Sequence, residues 1–118
     1  MFKIKVKSQF SSAHNLRGYK GKCEALHGHN WRVEIIVARD NLDKTGMVMD
    51  FTALKKKLNI VLEKLDHKYL NDIPYFRMNN PTSENIAKFI FDRLRDQRVI
   101  VSSVTVWESD NCSATYQP

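Results

Sequence analysis

The chain has 118 residues and a formal net charge of +6, from 19 lysines and arginines against 13 aspartates and glutamates. This length predicts a single domain over residues 1–118, with enough apolar residues for a core. No long apolar run or signal-peptide pattern occurs, which excludes membrane-spanning helices and predicts a soluble, cytoplasmic protein. Two cysteines, Cys23 and Cys112, are too few for a disulfide framework. The positive charge favours anionic partners, among them nucleic acid and polyphosphate substrates.

Two β-strands are predicted first. Residues 2–10 alternate apolar and polar side chains, which is the pattern of a half-buried strand. His14 has the parity of the apolar side chains if this strand continues. Residues 27–38 form the second strand, and His27 and His29 both lie on its apolar face because they are two residues apart. A buried imidazole without a partner costs free energy, and a metal ion is one way to satisfy both rings.

A helix is predicted over residues 51–65, where apolar residues recur at helical spacing. Asp50 or Thr52 is expected to cap its first turn. Asp66 and His67 follow this helix directly. An aspartate beside a histidine can hold the imidazole in one tautomer, and the competing interpretation is a histidine that only interacts with the helix dipole.

The second half of the chain begins with a predicted loop at residues 71–80. A second helix is then expected to begin with Asn80 as its cap and Pro81 as its first residue. Two strands, residues 99–108 and 112–116, complete the order β-β-α-α-β-β. This order predicts an α+β domain in which an antiparallel sheet carries two helices on one face.

Two residues near the last turn have distinct expected surroundings. Glu108 shares a strand face with Val104 and Val106, although a glutamate is seldom buried without a partner. Cys112 is expected to be a small core residue of the fourth strand.

The candidates for a metal site are His14, His27 and His29. Three neutral imidazoles with an open fourth position are typical of a catalytic zinc site rather than a structural one. The competing interpretation is that the histidines only make hydrogen bonds, which suits a single histidine better than a pair on an apolar face. Cys23 is a candidate base because a nearby dication and the lysines of its loop would lower the pKa of its thiol. Asp66 and His67 are the other candidate pair for proton transfer.

Five segments of the chain resemble the 6-pyruvoyltetrahydropterin synthase and 6-carboxytetrahydropterin synthase superfamily. They are Ser12-Ala-His14, Cys23-x-x-x-His27-Gly-His29, Leu65-Asp66-His67-x-Tyr69-Leu70-Asn71-Asp72, Asn80-Pro81-Thr82-Ser83-Glu84 and Glu108. The three-residue spacer after Cys23 is similar to the bacterial 6-carboxy branch, which serves queuosine (7-deazaguanine) biosynthesis. Residues 107–111 are more similar to the pyruvoyl enzymes.

This resemblance implies a tunnelling fold (T-fold). Four antiparallel strands per subunit would close into a barrel in a trimer, and two trimers would stack as a homohexamer. Such an assembly would also cover the exposed edge strands of a four-stranded sheet. Carried onto this chain, the family's Zn2+ ligands would be His14, His27 and His29.

The resemblance also implies roles for the remaining site residues. The acid–base set would be Cys23, Asp66 and His67, and the resemblance leaves open which subunit supplies the last two. Glu108 would bind the pterin through its ring N–H and amino groups. Thr82 and Ser83 would lie near the pterin pocket.

The implied activity is that of a zinc-dependent carbon–carbon lyase. It converts 7,8-dihydroneopterin triphosphate to 6-carboxy-5,6,7,8-tetrahydropterin and releases acetaldehyde and triphosphate. Arg17, Lys20 and Lys22 form a basic loop that would then lie against the triphosphate, although a merely solvated loop is the more common case.

Three alternatives stay open at this point. The pyruvoyl reaction starts from the same substrate and eliminates triphosphate but keeps the side chain. Another zinc lyase or hydrolase on the same scaffold is the second. The third is a basic nucleic-acid-binding module with structural zinc, against which the scattered lysines and the lack of an aromatic-basic motif argue.

Overall fold

The computed structural model describes residues 1–21 and 24–118, in which an antiparallel sheet packs against helices. The elements are β1 (Phe2–His14), β2 (His27–Arg39), α1 (Phe51–Glu63), α2 (Pro74–Met78), α3 (Ser83–Asp96), β3 (Ser103–Trp107) and β4 (Ser113–Tyr116). The strand order is β1-β2-β3-β4, so β1 and β4 form the edges, and the predicted α+β class is confirmed. None of the helices in the described residues is long and apolar enough to span a membrane.

The β1–β2 hairpin positions the histidines. Its register runs from Phe2 opposite Arg39 to His14 opposite His27, so β1 continues past residue 10 without a break. Buried and exposed side chains alternate along both strands, as the sequence predicts. Helix α1 packs on β1, and α3 packs on β3 and β4. The buried face of the sheet is therefore also the face that carries the histidines.

Helix α1 begins where the sequence predicts. The Asp50 carboxylate caps it by accepting a hydrogen bond from the backbone N–H of Thr52 at 3.0 Å. The helix ends at Glu63, two residues before the predicted end, and Leu65 is fully buried in the turn that follows. This buried leucine holds the chain against the sheet just before Asp66.

The loop predicted at residues 71–80 contains the short helix α2, so the described residues have three α-helices instead of the two expected. Pro74 is the first residue of α2, a position where its missing N–H costs nothing. Phe76 is fully buried and lies against Phe89, with ring centroids 5.3 Å apart. One buried residue in a five-residue helix leaves no helical periodicity in the sequence, which is why the loop prediction was wrong.

The cap of α3 is Thr82, two residues after the predicted Asn80. Its hydroxyl accepts a hydrogen bond from the backbone N–H of Asn85 at 3.1 Å. Pro81 precedes the helix instead of opening it. Asparagine and threonine are both good N-caps, and the choice depends on tertiary contacts that draw the Asn80 side chain elsewhere.

Strand β3 is shorter than the predicted residues 99–108. Arg98 has a left-handed backbone, with φ of 62°, and turns the chain at the end of α3. The backbone N–H of Ser102 donates to the carbonyl of Ile36 at 2.7 Å, and regular pairing with β2 begins at Ser103. Before this point Val99 and Val101 are buried in the connection and not in the strand, and Ile100 between them is exposed.

Cys112 is exposed, so the prediction of a core residue was wrong. Its backbone carbonyl accepts a hydrogen bond from the N–H of Glu108 at 3.1 Å, which closes the β3–β4 turn. Strand β4 begins at the next residue, Ser113. The cysteine thus belongs to the turn, beyond the part of the sheet that the helices cover.

Replacing Thr82 by alanine should lower the free energy of unfolding by about 1 kcal/mol, because α3 loses the acceptor for an N–H of its first turn. Thr82→Ser keeps the hydroxyl and is the matched control. Urea denaturation followed by circular dichroism measures both variants. A Thr82→Ala protein as stable as the wild type would show that this residue is not the cap.

Candidate metal centre

The structure brings the three predicted histidines together at one end of the β1–β2 hairpin. His14 and His27 are opposite each other in the register, and His29 follows on the same face of β2. Their ring centroids are 4.5 Å apart for His14 and His27, 4.8 Å for His27 and His29, and 5.3 Å for His14 and His29. One potential ligand atom from each histidine lies within 4.8 Å of the others.

Backbone carbonyls determine which ring nitrogen of two histidines carries the proton. Nδ1 of His14 lies 2.8 Å from the carbonyl oxygen of Pro81, and Nδ1 of His27 lies 2.7 Å from that of Ala25. A carbonyl only accepts hydrogen bonds, so each Nδ1 must be the donor. In neutral imidazoles both Nε2 atoms are then lone-pair acceptors, and these two atoms are only 2.9 Å apart.

Glu108 adds a carboxylate to this cluster. One carboxylate oxygen lies 3.2 Å from Nε2 of His29 and 3.4 Å from Nε2 of His14. The close contact with His29 lacks hydrogen-bond geometry, and that buried Nε2 has no hydrogen-bond partner among the described residues. Acceptors that face one another repel unless a cation lies between them.

Burial favours the neutral forms of His14 and His29. Removal from water lowers the pKa of His14, against an opposing contribution from its hydrogen bond to Pro81. Burial also lowers the pKa of His29, and the Glu108 carboxylate offsets part of that change. Neutral imidazoles are metal ligands and make no ion pair with a carboxylate. Three imidazoles and a carboxylate oxygen are a donor set that suits zinc and several other divalent metals.

The sheet register explains why Glu108 reaches the histidines. Trp107 pairs with Arg32, so the next residue of the chain is set opposite Trp31. The Trp31 ring lies between the cluster and the core, with centroids 4.9 Å from His14 and 5.1 Å from His29. The strand pattern predicted correctly that Glu108 faces inward, but it did not predict the contact of Glu108 with the histidines.

Asp66 and His67 form a pair at the edge of β1. Nδ1 of His67 lies 2.9 Å from one carboxylate oxygen of Asp66, and the other oxygen accepts the backbone N–H of Ser11 at 2.8 Å. The N–H of Ser11, and after it the hydrogen bond from His67, lowers the pKa of Asp66. The sequence left this contact open beside the helix-dipole interpretation, and the structure shows the two side chains together.

The backbone presents the His67 ring to solvent. His67 has a left-handed φ of 54°, and its N–H donates to the carbonyl of Ser11 at 2.6 Å. The N–H of Ala13 donates to the carbonyl of Lys68 at 3.0 Å, which fastens the turn to the edge of β1. The His67 side chain is 82% exposed, so it is held by its neighbours and still free to meet a substrate.

His67 does not join the histidine cluster of its own chain. The cluster of potential ligands in the described residues contains only the other three histidines and Glu108. His67 and His29 instead line one shallow cleft of about 480 Å³ that crosses β1. Within one chain, the two candidate groups are therefore neighbours on a surface and not contacts.

The remaining predicted site residues differ in what the structure describes of them. Cys23 and Lys22 lie outside the described residues. Thr82 caps α3, immediately after the carbonyl that binds His14, and Ser83 is the half-buried first residue of that helix. In the predicted basic loop, the guanidinium of Arg17 donates to the carbonyl of Phe76 at 2.5 Å, so one of its N–H groups has a structural use.

Acidic side chains neutralise part of the positive charge on the open face of the sheet. Glu34 lies 3.6 Å from the ammonium of Lys5 and 3.5 Å from that of Lys7. Arg32 lies 2.9 Å from Asp110. Exposed pairs of this kind add little stability, but they reduce the field that a nucleic acid would meet.

Comparisons with known proteins agree with this architecture. The profile of the family described as 6-pyruvoyl tetrahydropterin synthase matches residues 3–118. A Synechocystis protein named 6-carboxy-5,6,7,8-tetrahydropterin synthase is 43% identical over an alignment 122 positions long. This alignment covers 98% of this chain and 93% of that protein. A Haemophilus influenzae protein of the same name is 33% identical and covers 99% of each.

Among solved structures, that of Caenorhabditis elegans 6-pyruvoyl tetrahydropterin synthase superposes with a TM-score of 0.89 at 32% identity. The match covers 99% of this chain and 95% of the nematode chain. The similarity extends over all the elements that carry the histidines, Glu108, and the Asp66–His67 turn.

Metal-free protein should lose stability in acid. The folded-state pKa values of His14 and His29 are lowered, so below about pH 6.5 the unfolded chain binds protons more readily than the folded one. These groups should therefore leave the free energy of unfolding unchanged above about pH 6.5. Below that pH they should lower it progressively as the pH falls. Urea denaturation of chelator-treated protein measures this.

The matched control is His67→Gln, which removes an exposed ring outside the cluster and should keep the same acid sensitivity. Stability of the metal-free wild type that does not change between about pH 7.5 and 5.5 would contradict the burial of neutral histidines.

Proposed function

The chain belongs to the 6-pyruvoyl tetrahydropterin synthase family, and from this premise we propose that it is a 6-carboxy-5,6,7,8-tetrahydropterin synthase. The proposed reaction converts 7,8-dihydroneopterin triphosphate to the 6-carboxy product and releases acetaldehyde and triphosphate, as a step of queuosine biosynthesis. The observation that carries the proposal is the convergence of three histidines and Glu108. The relatives that share the 6-carboxy name over nearly their whole length support this branch of the family.

The proposed metal is Zn2+, with His14, His27 and His29 as ligands. Their donor types support it, and so do the carbonyls that hold the Nδ1 protons of two of the rings away from the cluster. A bound zinc ion would supply Lewis acidity, which lowers the pKa of an oxygen that coordinates it.

We assign Glu108 to the pterin. Its carboxylate is 31% exposed at the rim of the cluster, where it can accept hydrogen bonds from a ring N–H and an amino group. A carboxylate in this place has two chemical options, to bind the metal or to bind the substrate. The second leaves the fourth metal position to substrate oxygen, as a catalytic site requires. Thr82 and Ser83 are proposed to border the same pocket.

Proton transfer is assigned to Cys23, Asp66 and His67. Cys23 would move a proton at the carbon next to the pterin ring, and His67 would serve a side-chain hydroxyl. One oxygen of the Asp66 carboxylate lies 2.9 Å from Nδ1 of His67, so the proton of a neutral ring would lie on Nδ1 and Nε2 would be the base. The other oxygen accepts the N–H of Ser11, which would hold the carboxylate where it orients the ring and stabilises its charged form.

A homohexamer built from two trimeric barrels is the proposed assembly. The sheet ends at β1 and β4, and unpaired strand edges are normally covered. Several large apolar side chains around the histidine end are exposed in the single chain. They are Tyr19 at 53%, Leu26 at 66%, Tyr69 at 39% and Met78 at 87%. A neighbouring subunit that covers them would bring its own side chains to the metal centre.

The second candidate is the pyruvoyl reaction. The name of the nematode structure and residues 107–111 favour it. Both reactions eliminate triphosphate, and they differ in whether the three-carbon side chain is cleaved.

Incubation of zinc-loaded protein with 7,8-dihydroneopterin triphosphate should yield the 6-carboxy product and acetaldehyde, both identified by mass. A pterin that keeps a three-carbon diketone side chain would assign the pyruvoyl reaction instead.

Cys23→Ala should abolish turnover and retain zinc, because the thiol transfers a proton and does not bind the metal. Cys112→Ser, at the exposed cysteine, is the control and should keep full turnover. Loss of zinc from Cys23→Ala would make that residue a ligand.

Glu108→Gln and His27→Ala should separate substrate binding from metal binding. Glu108→Gln keeps the shape but loses the charge, so KM should rise by about tenfold or more while zinc stays bound. His27→Ala removes a ligand, and zinc and activity should disappear together. Zinc content by atomic absorption and steady-state kinetics check both. Zinc loss with unchanged KM in Glu108→Gln would identify the carboxylate as a fourth ligand.

A further inference from the structure

One of the three proposed zinc ligands is oriented from outside the hairpin that carries it. Nδ1 of His27 bonds the carbonyl of Ala25, which is only 2 residues away in the sequence. Nδ1 of His14 instead bonds the carbonyl of Pro81, which is 67 residues away in the segment before α3. The orientation of His14 therefore depends on what holds this distant carbonyl.

A tight turn points the Pro81 carbonyl. The backbone N–H of Thr82 donates to the carbonyl of Asn80 at 2.7 Å, which closes a γ-turn with Pro81 at its centre. The ring of Pro81 fixes φ at about −65°, close to the −75° or so of the central residue of an inverse γ-turn. The carbonyl of the central residue takes no part in the turn, so it is free to accept the ring N–H of His14.

Two asparagines hold this turn from opposite sides. Nδ2 of Asn85, in the first turn of α3, donates to the carbonyl of Asn80 at 2.9 Å. The Asn80 side chain accepts the backbone N–H of Arg17 and donates to the carbonyl of Arg17, both at 2.9 Å. Arg17 follows His14 by three residues. The turn is thus tied both to the helix and to the chain that leaves the metal ligand.

This hold excludes a competing state of the histidine pair. With its proton on Nε2, His14 could donate to Nε2 of His27, which is 2.9 Å away. That hydrogen bond would satisfy both rings without a metal and would occupy the two lone pairs that a metal needs. It would also leave the buried Pro81 carbonyl facing a lone pair on Nδ1. A carbonyl that cannot turn away therefore keeps the proton on Nδ1.

We propose that Asn80 and Asn85 are positioning residues for the metal ligand His14, an inference that rests on the metal centre of the proposed function. Both act through the carbonyl of Pro81, which sets the tautomer of the ring and the direction of its Nε2 lone pair. Partners that orient a metal-bound histidine typically change metal affinity by about 10–100-fold. The docking of α3 is thereby coupled to zinc affinity.

The test replaces each asparagine by leucine, which has nearly the same shape and no charge but cannot hydrogen-bond. Asn85→Leu removes the donor to the carbonyl of Asn80 and leaves the backbone hydrogen bond of the turn in place. Asn80→Leu removes both hydrogen bonds to Arg17. Asn79→Leu is the matched control, because Nδ2 of this half-buried residue donates to the carbonyl of Tyr75 at 3.0 Å, outside the turn.

Two measurements follow the variants: zinc affinity by competition with a chromophoric chelator, and the His14 ring by proton–nitrogen NMR of metal-free protein. Asn85→Leu should weaken zinc binding by about threefold or more, and Asn80→Leu by about tenfold or more. In both variants His14 should lose its preference for the proton on Nδ1, a change that lower stability alone would not produce. Asn79→Leu should match the wild type in both measurements.

Wild-type zinc affinity in folded Asn85→Leu would overturn the proposal, and so would an unchanged His14 tautomer in both variants. An equal loss of affinity in Asn79→Leu would overturn it as well, since any lost hydrogen bond near this segment would then weaken the site. A wild-type protein that binds no zinc would refute the metal centre of the proposed function. The NMR spectrum needs no metal, so it would still decide separately whether the asparagines set the tautomer.

Discussion

The candidate metal centre follows from one constraint: buried hydrogen-bond acceptors face one another without a donor between them. His14 and His27 use their Nδ1 protons on the carbonyls of Pro81 and Ala25, so their Nε2 lone pairs face each other at 2.9 Å. His29 and a Glu108 oxygen complete the group. An unsatisfied buried polar group costs about 1–3 kcal/mol, and a dication held by the three histidines would give each of their Nε2 atoms a partner.

Apolar packing holds this group in position. The histidines end the same strand faces that bury Trp31, Val33 and Ile35. A slip of one residue in the β1–β2 register would move every one of these side chains to the open face. Each buried apolar side chain contributes about 1.5–3 kcal/mol, so the core forbids the slip far more strongly than the histidines do. The arrangement of the three histidines is therefore a consequence of the hydrophobic core.

The segments that follow or precede the helices meet around the end of β1. The turn after α1 fastens Asp66 and His67 to Ser11, and the segment before α3 brings Asn80 and Pro81 to the other side. The contacts of the turn after α1 use backbone groups of Ser11 and Ala13 that an edge strand would otherwise leave unpaired, and Pro81 contacts the His14 ring. His14 and the proposed proton-transfer pair are thus tied to one strand, although they come from distant parts of the sequence.

Features that depend on local periodicity could be predicted without the structure. Alternation predicted residues 2–10 of β1, the strand β2 and the shared face of His27 and His29, and helical spacing predicted α1. His14 has the parity of the same face, but its place there depended on β1 continuing past residue 10, which the structure shows. The same alternation along the third strand predicted that Glu108 faces inward. These predictions succeeded because the side-chain direction of a strand or helix follows from its repeat alone.

Tertiary structure decided what depends on contacts between distant segments. The β2–β3 register brought Glu108 to the histidines, and packing of Phe76 on Phe89 formed a helix in a predicted loop. The hydrogen bonds of Asn80 to Arg17 left the cap of α3 to Thr82, because one carboxamide cannot serve both partners. Cys112 is exposed because it lies in the β3–β4 turn, and its hydrophobic character does not predict that position. Long-range hydrogen bonds and packing have no period in the sequence, so only the folded chain reveals them.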